Sequence, residues 1–168
     1  MLKNKKIVLG VTGGIAVYKA ADLVSKLRKQ HANVEVIMTK NSMEFVTPLT
    51  FQTMSNNMVH SDMFREITDF NVEHISLAQS ADVILIAPAT ANTISKFAYK
   101  IADNPISTLL ITAYGHDTSI LFVPSMHDSM FKAIKGNIDK IKKEGSASFI
   151  KPKMDEGKAK FPDKEDIV

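Results

Sequence analysis

The chain has 168 residues, of which 45% are hydrophobic, and this length is enough to bury the core of one domain. Its formal charge is +3, from 21 Lys and Arg against 18 Asp and Glu, and the lysines are scattered along the chain. Nucleic acid is therefore not an expected partner. Because the sequence has no cysteine, disulfides and thiolate metal sites are excluded, and we predict no metal centre.

The N-terminus carries no segment typical of a secreted or membrane protein. Residues 1–6 are mostly polar, and the apolar run that follows ends at Thr12. This run is far shorter than the core of a signal peptide or the roughly 20 apolar residues of a membrane span. We therefore expect no membrane association and a cytoplasmic location.

The first elements predict a β-α-β unit. Lys6–Val11 is a continuous apolar run, which is typical of a parallel strand buried on both faces. After a turn at residues 12–14, apolar residues recur at helical spacing between Ala20 and Leu27. Val34–Met38 predicts the second strand, and the crossover between the two strands should be right-handed.

The remaining elements continue this alternation. We predict strands over Val83–Ala87, ending at Pro88, and over Ile120–Val123. The predicted helices cover residues 49–55, 74–79, 93–101, 106–113 and 130–143, with Thr47 and Pro48 as the start signal of the first and Gly145 after the last. The alternation predicts an α/β fold with a doubly wound parallel sheet between two helical layers.

The composition changes after Gly145. Residues 1–145 are predicted to form the compact domain. Residues 146–168 are short, Lys-rich and turn-containing, and they predict a mobile flap with a C-terminal tail or the start of a linker.

Three loops follow predicted strands, at the edge of the sheet where α/β proteins bind ligands. The first, residues 12–16, places Gly13 and Gly14 at a helix start, where backbone N–H groups can hold a phosphate. The later glycine of the dinucleotide fingerprint is missing, and the P-loop pattern is absent, which favours a mononucleotide. A tight turn without a ligand would explain the same residues.

The other two loops carry hydrogen-bonding groups among small residues. The run Ala-Pro-Ala-Thr-Ala-Asn-Thr at 87–93 leaves room for a flat ring or a phosphate, and a helix cap alone would explain only one of its hydroxyls. The run Pro-Ser-Met-His-Asp-Ser-Met at 124–130 brings His127 to the same edge, although Ser129 would also serve as a cap. His74, at the start of a predicted helix, is either a polar helix-end residue or a functional one.

These motifs resemble the homo-oligomeric flavin-containing cysteine decarboxylases. The resemblance covers nearly the whole chain, and the run at 87–93 is its most specific part. It rests on residues 11–20, 45–51, 74–75, 81–82, 87–93, 101–104 and 124–130. The resemblance implies a flavodoxin-like or Rossmann-like three-layer sandwich, FMN as the cofactor, and assembly into trimers or dodecamers with FMN between subunits.

The resemblance also implies which residues form the site. FMN would contact Gly13, Gly14, Ile15, Ala16, Thr39, Phe45, Ala89, Thr90, Ala91, Asn92, Thr93, Ser125 and Met126. The substrate, a small phosphorylated cysteine conjugate, would contact Asn92, His127, Met130 and Lys158. The catalytic candidates are His74, His127 and Lys158, of which His74 matches the family's active-site histidine and would act as a base or orient the substrate.

The implied activity is the FMN-dependent decarboxylation of 4'-phosphopantothenoylcysteine to 4'-phosphopantetheine in coenzyme A biosynthesis. The cysteine side chain would be oxidised to a thioaldehyde, loss of the carboxylate would give an enethiolate, and return of the electrons would give the product. Since the chain has no cysteine, the thiol in this chemistry belongs to the substrate. The chain would be fused to, or paired with, a phosphopantothenate–cysteine ligase.

Two positions depart from the family's pattern. His127 stands where the family usually has an asparagine that contacts the substrate's carboxylate. The usual clamp cysteine, which protonates the enethiolate, is missing, so Lys158, His127 or water would replace it. Two alternatives stay open: an oxidative decarboxylase of a peptide's C-terminal cysteine, which stops at the enethiol, and a noncatalytic regulatory subunit with the same fold.

Overall fold

The structure, a computed structural model, describes residues 2–61, 73–116 and 118–168. The strands in chain order are β1 Lys6–Val11, β2 Asn33–Met38, β3 Val59–His60, β4 Val83–Ala89, β5 Ser119–Pro124, β6 Met126–His127, β7 Ser148–Phe149, β8 Lys153–Asp155 and β9 Lys158–Lys160. The α-helices are α1 Val17–Lys29, α2 Lys40–Met43, α3 Pro48–Ser55, α4 Glu73–Ser80, α5 Ala91–Ala98, α6 Pro105–Tyr114, α7 Asp128–Ala133 and α8 Lys135–Glu144. A 3₁₀ helix covers Lys164–Asp166. None of these helices is long and apolar enough to cross a membrane.

Six strands form one parallel sheet in the order β3-β2-β1-β4-β5-β7. The chain winds outward from β1 to β3 and then returns to β4 on the other side of β1. The direction of winding therefore reverses between β1 and β4. This arrangement confirms the predicted doubly wound α/β fold, and its strand order is the Rossmann-like one.

Two hydrophobic clusters, one on each face of the sheet, hold the helical layers in place. Helices α1 and α3 bury Leu23, Val24 and Phe51 against one face. Helices α4, α5, α6 and α8 cover the other face, where Phe97 and Leu109 are almost fully buried. Because both faces are covered, the central strands are apolar on both sides, as parallel strands usually are.

The strand β4 is longer than predicted. It continues through Pro88 to Ala89 instead of ending at Pro88. Since proline has no backbone N–H, the pairing with β5 is interrupted after Ile86 and resumes where Ala89 lies opposite Pro124. The two additional residues carry the strand to the start of α5, and this places the following loop directly at the edge of the sheet.

Several helix boundaries also differ. The helix predicted over 93–101 begins at Ala91 and ends at Ala98, because Lys100 has a φ of 58° and turns the chain out of the helix. The start signal of α3 is confirmed in part. Pro48 occupies the first turn and Thr47 the N-cap position, but the Thr47 side chain makes no capping hydrogen bond.

The prediction of a single helix over residues 130–143 was wrong. It is divided into α7 and α8 by a break at Ile134, where the backbone leaves helical geometry. Gly136 follows the break, and its low helix propensity favours an interruption there. The bend buries Ile134 in the core. The predicted stop at Gly145 is confirmed, since this residue ends α8 with a left-handed φ of 66°.

The segment after Gly145 contains defined strands. β7 pairs with β5 as the sixth strand, and Phe149 stacks on Phe122 with ring centroids 5.2 Å apart. The main sheet therefore includes residues that follow Gly145, and the Phe149 ring packs against the core. β8 and β9 form an antiparallel hairpin that pairs with β6 in a second, three-stranded sheet. Ala159 and Phe161 are buried and anchor the hairpin.

A half-buried ion network ties the first strands to α4. The Glu35 carboxylate on β2 lies 2.7 Å from Lys6 Nζ and accepts from His60 Nε2 at 3.3 Å. Lys6 Nζ also donates to Ser80 Oγ at the end of α4, at 2.8 Å. The hydrogen bond from His60 and the Lys6 ammonium lower the pKa of Glu35 from 4.5 to about 2, against the opposing effect of burial.

We expect Glu35 to make the folded state sensitive to acid. Its pKa is lower in the folded chain than in the unfolded chain, so its stabilising contribution is complete above about pH 4.5 and is lost as the pH falls towards about 2. Between about pH 6 and about pH 3, the free energy of unfolding of Glu35→Gln should fall by on the order of 2 kcal/mol less than that of the wild type. Urea denaturation at both pH values measures this difference.

The control for this prediction is Glu44→Gln, because Glu44 is exposed at the end of α2. Its acid sensitivity should match that of the wild type. If Glu35→Gln also lost as much stability as the wild type on acidification, the network would not be the source of the effect.

Candidate functional site

Four loops lie along one edge of the main sheet, at the carboxyl ends of its central strands. They comprise residues 12–16 after β1, 39–45 after β2, 90–93 after β4 and 125–130 after β5, and these strands are neighbours in the sheet. Between β1 and β4 the following helices pack on opposite faces, so the two loops separate and leave a crevice. This is the usual position of a ligand in an open α/β sheet.

Thr12 joins the two sides of this crevice. Its Oγ1 donates to the carbonyl oxygen of Pro88 at 2.7 Å and accepts from the backbone N–H of Thr90 at 3.1 Å. Thr90 Oγ1 accepts in turn from the N–H of Thr93 at 3.3 Å and so caps α5. Thr12 and Thr93 are both buried. The sequence indicated Thr90 and Thr93, but it missed the role of Thr12, for which a hydroxyl between an apolar strand and two glycines was the signal.

The glycine loop offers a set of backbone donors. Among the described residues, nothing accepts from the backbone N–H groups of residues 13–16, which lead directly into α1. A Cβ on Gly13 would lie 2.6 Å from Asn41 Cβ, so only glycine allows this close approach of the loop to α2. A Cβ on Gly14 would have no neighbour nearer than Thr90 Cγ2 at 3.8 Å, so this side of the loop is open. Unpaired N–H groups at a helix start fit a phosphate.

The loop after β2 completes one side of the crevice. Thr39 caps α2 by accepting from the N–H of Ser42 at 3.3 Å, which leaves its hydroxyl proton to donate to a ligand. Phe45 is 51% exposed, and Ile15 in the first loop is 75% exposed. Exposed apolar side chains beside a cradle of backbone donors suit a flat ring that carries a phosphate.

The loops after β4 and β5 are joined through their backbones. The N–H of Ser125 donates to the carbonyl of Ala89 at 3.2 Å. The side chains of Ala89 and Ala91 are buried beneath the loop. Only the backbone of these two residues could therefore contact a ligand. Asn92 is exposed, whereas Met126 is half-buried and packs against the core. Met130, on α7, is exposed beyond this loop.

The β8–β9 hairpin brings Lys158 to His127. β9 pairs with β6 in the antiparallel direction, with His127 opposite Lys158 and Met126 opposite the buried Ala159. The N–H of Asp128 also donates to the carbonyl of Gly157 at 2.9 Å. Side chains that lie directly opposite in such a pair have Cβ atoms about 5 Å apart and share one face of the sheet.

The Lys158 ammonium has no carboxylate within ion-pair distance in the described parts of the chain. The carboxylates of the hairpin bind Lys160 instead, whose Nζ lies 2.7 Å from Asp155 Oδ2 and 2.9 Å from Glu156 Oε2. The hydrogen bond from Lys160 lowers the pKa of Asp155. The exposed Lys158 and His127 side chains therefore offer a cation and an imidazole to an anionic ligand.

His74 lies in the first turn of the described part of α4 and is half-buried. Ser80, at the other end of this helix, contacts Lys6 at the amino end of β1. The first turn therefore lies nearer to the carboxyl edge of the sheet, on the side where the four loops are. Within residues 2–61, 73–116 and 118–168, no hydrogen bond joins His74 to these loops.

Two surface depressions lie at the opposite edge, near the amino ends of the strands. One, of about 260 Å³, is lined by Leu2, Gln30 and Val168. The other, of about 520 Å³, is lined by residues of the β5 start and of the α8–β7 turn. Neither adjoins the crevice between β1 and β4.

The winding reversal, the backbone cradle and the exposed apolar rim together define an α/β protein with a mononucleotide site. The family described as flavoprotein matches residues 1–168. The chain therefore belongs to the flavoprotein family, in agreement with the resemblance found in its motifs.

Individual relatives indicate which kind of flavoprotein the chain resembles. The chain is 42% identical, over 176 residues, to the coenzyme A biosynthesis bifunctional protein CoaBC of Bacillus subtilis, covering 100% of this chain and 42% of that protein. It is 40% identical, over 152 residues, to a probable phosphopantothenoylcysteine decarboxylase of Streptococcus mutans, covering 89% of this chain and 84% of that one. The chain thus spans less than half the length of the bifunctional relative.

A solved structure of the peptidyl-cysteine decarboxylase EpiD superimposes with a TM-score of 0.80 at 26% identity. The superposition covers 97% of this chain and 95% of EpiD. Since so much of both chains is matched, the likeness is not confined to a part of the fold.

We predict that Thr12→Val weakens flavin binding about tenfold or more, because valine can neither donate to Pro88 nor accept from Thr90, and one side of the crevice loses its anchor. Thr12→Ser keeps the hydroxyl and should bind flavin within about threefold of the wild type. Quenching of flavin fluorescence on titration into the flavin-free protein measures both affinities. Equal affinities of the Val and Ser variants would contradict the anchoring role.

Proposed function

We propose that this chain is an FMN-dependent decarboxylase that converts 4'-phosphopantothenoylcysteine into 4'-phosphopantetheine in coenzyme A biosynthesis. The observation that carries the proposal is the 40% identity to the probable phosphopantothenoylcysteine decarboxylase of Streptococcus mutans, 84% of which the chain covers. The bifunctional relative of Bacillus subtilis is named for the same pathway. We further propose that the chain is fused to, or acts beside, a phosphopantothenate–cysteine ligase in the cytoplasm.

FMN fits the crevice between β1 and β4. The N–H groups of residues 13–16, which have no acceptor among the described residues, and the Thr39 hydroxyl would hold its phosphate. Ile15, Phe45 and the small residues of the 89–92 run would contact its ring. Bound there, FMN would supply the reversible two-electron oxidation of the substrate's cysteine side chain.

The residues of the chain would then bind and orient the substrate. His127 and Lys158 are exposed cross-strand neighbours, and their N–H groups suit the substrate's carboxylate. His74 would take or hold the proton of the reacting group, a role that suits an imidazole near neutral pH. The hairpin pairs with β6 in the loop after β5 and so holds Lys158 at this end of the site. Since the chain has no cysteine, the proton returned to the product would come from Lys158, His127 or water.

The alternative is an oxidative decarboxylase of a peptide's C-terminal cysteine. The absence of a cysteine from the hairpin favours this alternative. The identity to the coenzyme A relatives, 42% and 40%, exceeds the 26% identity to EpiD and favours the small substrate.

Anaerobic turnover with product analysis tests the proposal. The yellow holoprotein, given 4'-phosphopantothenoylcysteine, should release carbon dioxide and 4'-phosphopantetheine and recover its oxidised flavin spectrum. An enethiol product with accumulating reduced flavin would favour the oxidative alternative. A protein that takes up no FMN, or that binds FMN without turnover of either substrate, would favour the noncatalytic subunit.

His74→Asn should lower kcat by about a hundredfold or more while the flavin content is unchanged, because an amide cannot replace the imidazole in proton transfer. His31→Asn is the matched control. His31 is exposed in the α1–β2 turn with a φ of 67°, a left-handed conformation that asparagine tolerates. Turnover of His74→Asn at the rate of this control would remove His74 from the mechanism.

We also propose that the site is completed in a homo-oligomer, a trimer or a dodecamer. Ile15, Tyr18, Phe45 and Leu49 are 75%, 59%, 51% and 69% exposed, and they lie on the adjacent segments that follow β1 and β2. Exposed apolar residues in such a group are typical of a protein interface.

Leu49→Glu should therefore shift the sedimentation profile towards the monomer and lower the flavin content, because a carboxylate cannot be buried unpaired in an apolar interface. Ile101→Glu, on the opposite helical layer and 47% exposed in the wild type, is the control and should leave both unchanged. An unaltered profile for Leu49→Glu would place the interface elsewhere.

A further inference from the structure

His127 caps helix α7 through its ring. The imidazole Nδ1 accepts from the backbone N–H of Ser129 at 3.3 Å, and Ser129 Oγ lies 2.9 Å from the same nitrogen. A backbone N–H can only donate, so Nδ1 must supply a lone pair. In the neutral ring the proton is then on Nε2. The sequence had indicated Ser129 as the capping side chain, whereas the cap is His127 and Ser129 supplies the groups that hold it.

The opposite side of the ring is open. The His127 side chain is exposed, and no described residue bonds to its Nε2. Lys158 lies directly opposite on β9, on the same face of the small sheet. Asp155 and Glu156, the nearest acidic residues of the hairpin, are bound to Lys160. The Nε2–H group and the Lys158 ammonium are thus two neighbouring donors without an internal acceptor among the described residues.

We propose that Ser129 is a positioning residue, which fixes the His127 ring so that Nε2–H, together with the Lys158 ammonium, donates to the carboxylate of the substrate. The identity of the ligand rests on the proposed function, but the tautomer of His127 does not. In this arrangement His127 is a hydrogen-bond donor and not a base at Nε2. An asparagine would keep both features, since its Oδ1 can cap the helix while its amide donates. An aspartate would keep the cap and lose the donor.

The tautomer can be observed directly in the holoprotein. In protein labelled with ¹⁵N-histidine, at a pH where the rings are neutral, His127 should show a protonated Nε2 and an unprotonated Nδ1. His127→Asn assigns its signals among the 5 histidines. Ser129→Ala keeps the backbone N–H but removes the contact of Oγ at 2.9 Å, so the His127 signals should shift while those of the other histidines stay unchanged. A proton on Nδ1 in the wild type, or unchanged His127 signals in Ser129→Ala, would overturn the positioning role.

Steady-state kinetics of matched variants test the donor role. His127→Asn should keep KM within about threefold of the wild type, whereas His127→Asp should raise KM by about tenfold to a hundredfold, because a charge-assisted hydrogen bond is lost and two anions face each other. Ser129→Ala should raise KM about fivefold with little change in kcat, as expected from the loss of one hydrogen bond. Ser119→Ala, at the exposed start of β5, is its control.

The two proposals fail in different ways. A wild type without turnover would contradict the proposed function, and the tautomer measurement would still decide the role of Ser129. A wild type with turnover, but with the same KM in the Asn and Asp variants, would overturn the donor role of His127 and leave the proposed function intact. Flavin content and the thermal unfolding midpoint of each variant confirm that the compared proteins are folded.

Discussion

The hydrogen bonds of Thr12 fix the junction on which the site depends. β1 and β4 are neighbours in the sheet, but the helices that follow them lie on opposite faces, so their loops tend to separate. A single buried hydroxyl bridges the gap, because it can donate to Pro88 and accept from Thr90 at the same time. In a buried position such bonds are costly to leave unmade. The crevice keeps its width because this short link sets the distance between its walls.

The second constraint is the pairing of the hairpin with the loop after β5. Residues about 30 positions apart in the sequence become cross-strand neighbours, and buried Ala159 and Phe161 fix the hairpin against the rest of the fold. The polar ends of the hairpin are arranged by charge, since Lys160 binds the nearby carboxylates and leaves Lys158 unpaired among the described residues. Exposed ion pairs of this kind contribute little to stability. Their effect here is on the site: they bind Lys160 and leave Lys158 as the cation that faces it.

The main sheet could be predicted because burial on both faces makes its central strands continuous apolar runs, as in Lys6–Val11. The amphipathic α1 was equally clear from the spacing of its buried residues. Short elements could not be predicted in this way. The two residues of β7 carry too little pattern to signal a strand, and only the stacking of Phe149 on Phe122 adds them to the sheet. The end of β4 was placed too early because proline was taken to stop a strand that in fact continues after a shift in pairing.

The site was predictable to the extent that its residues follow strands. The loops at 12–16, 87–93 and 124–130 were identified from glycines, small residues and hydroxyls, and the parallel sheet brings them to one edge. Which of these side chains are buried could not be predicted, because burial depends on contacts across the fold. The Ala89 side chain is buried beneath the loop, and Thr12 joins the two sides of the crevice; neither fact could be read from the sequence. The opposition of His127 and Lys158 likewise depends on a hairpin register that no local pattern specifies.

The two edge strands of the main sheet are each only two residues long: Val59–His60 on one side and Ser148–Phe149 on the other. A sheet edge with many unpaired N–H and C=O groups is a template on which another chain can add a strand. Here the long apolar strands β1, β2, β4 and β5 are all interior, and each outer edge offers room for only a short pairing. The same topology that places the ligand crevice at the centre of the sheet thus protects its most aggregation-prone segments from edge-to-edge association.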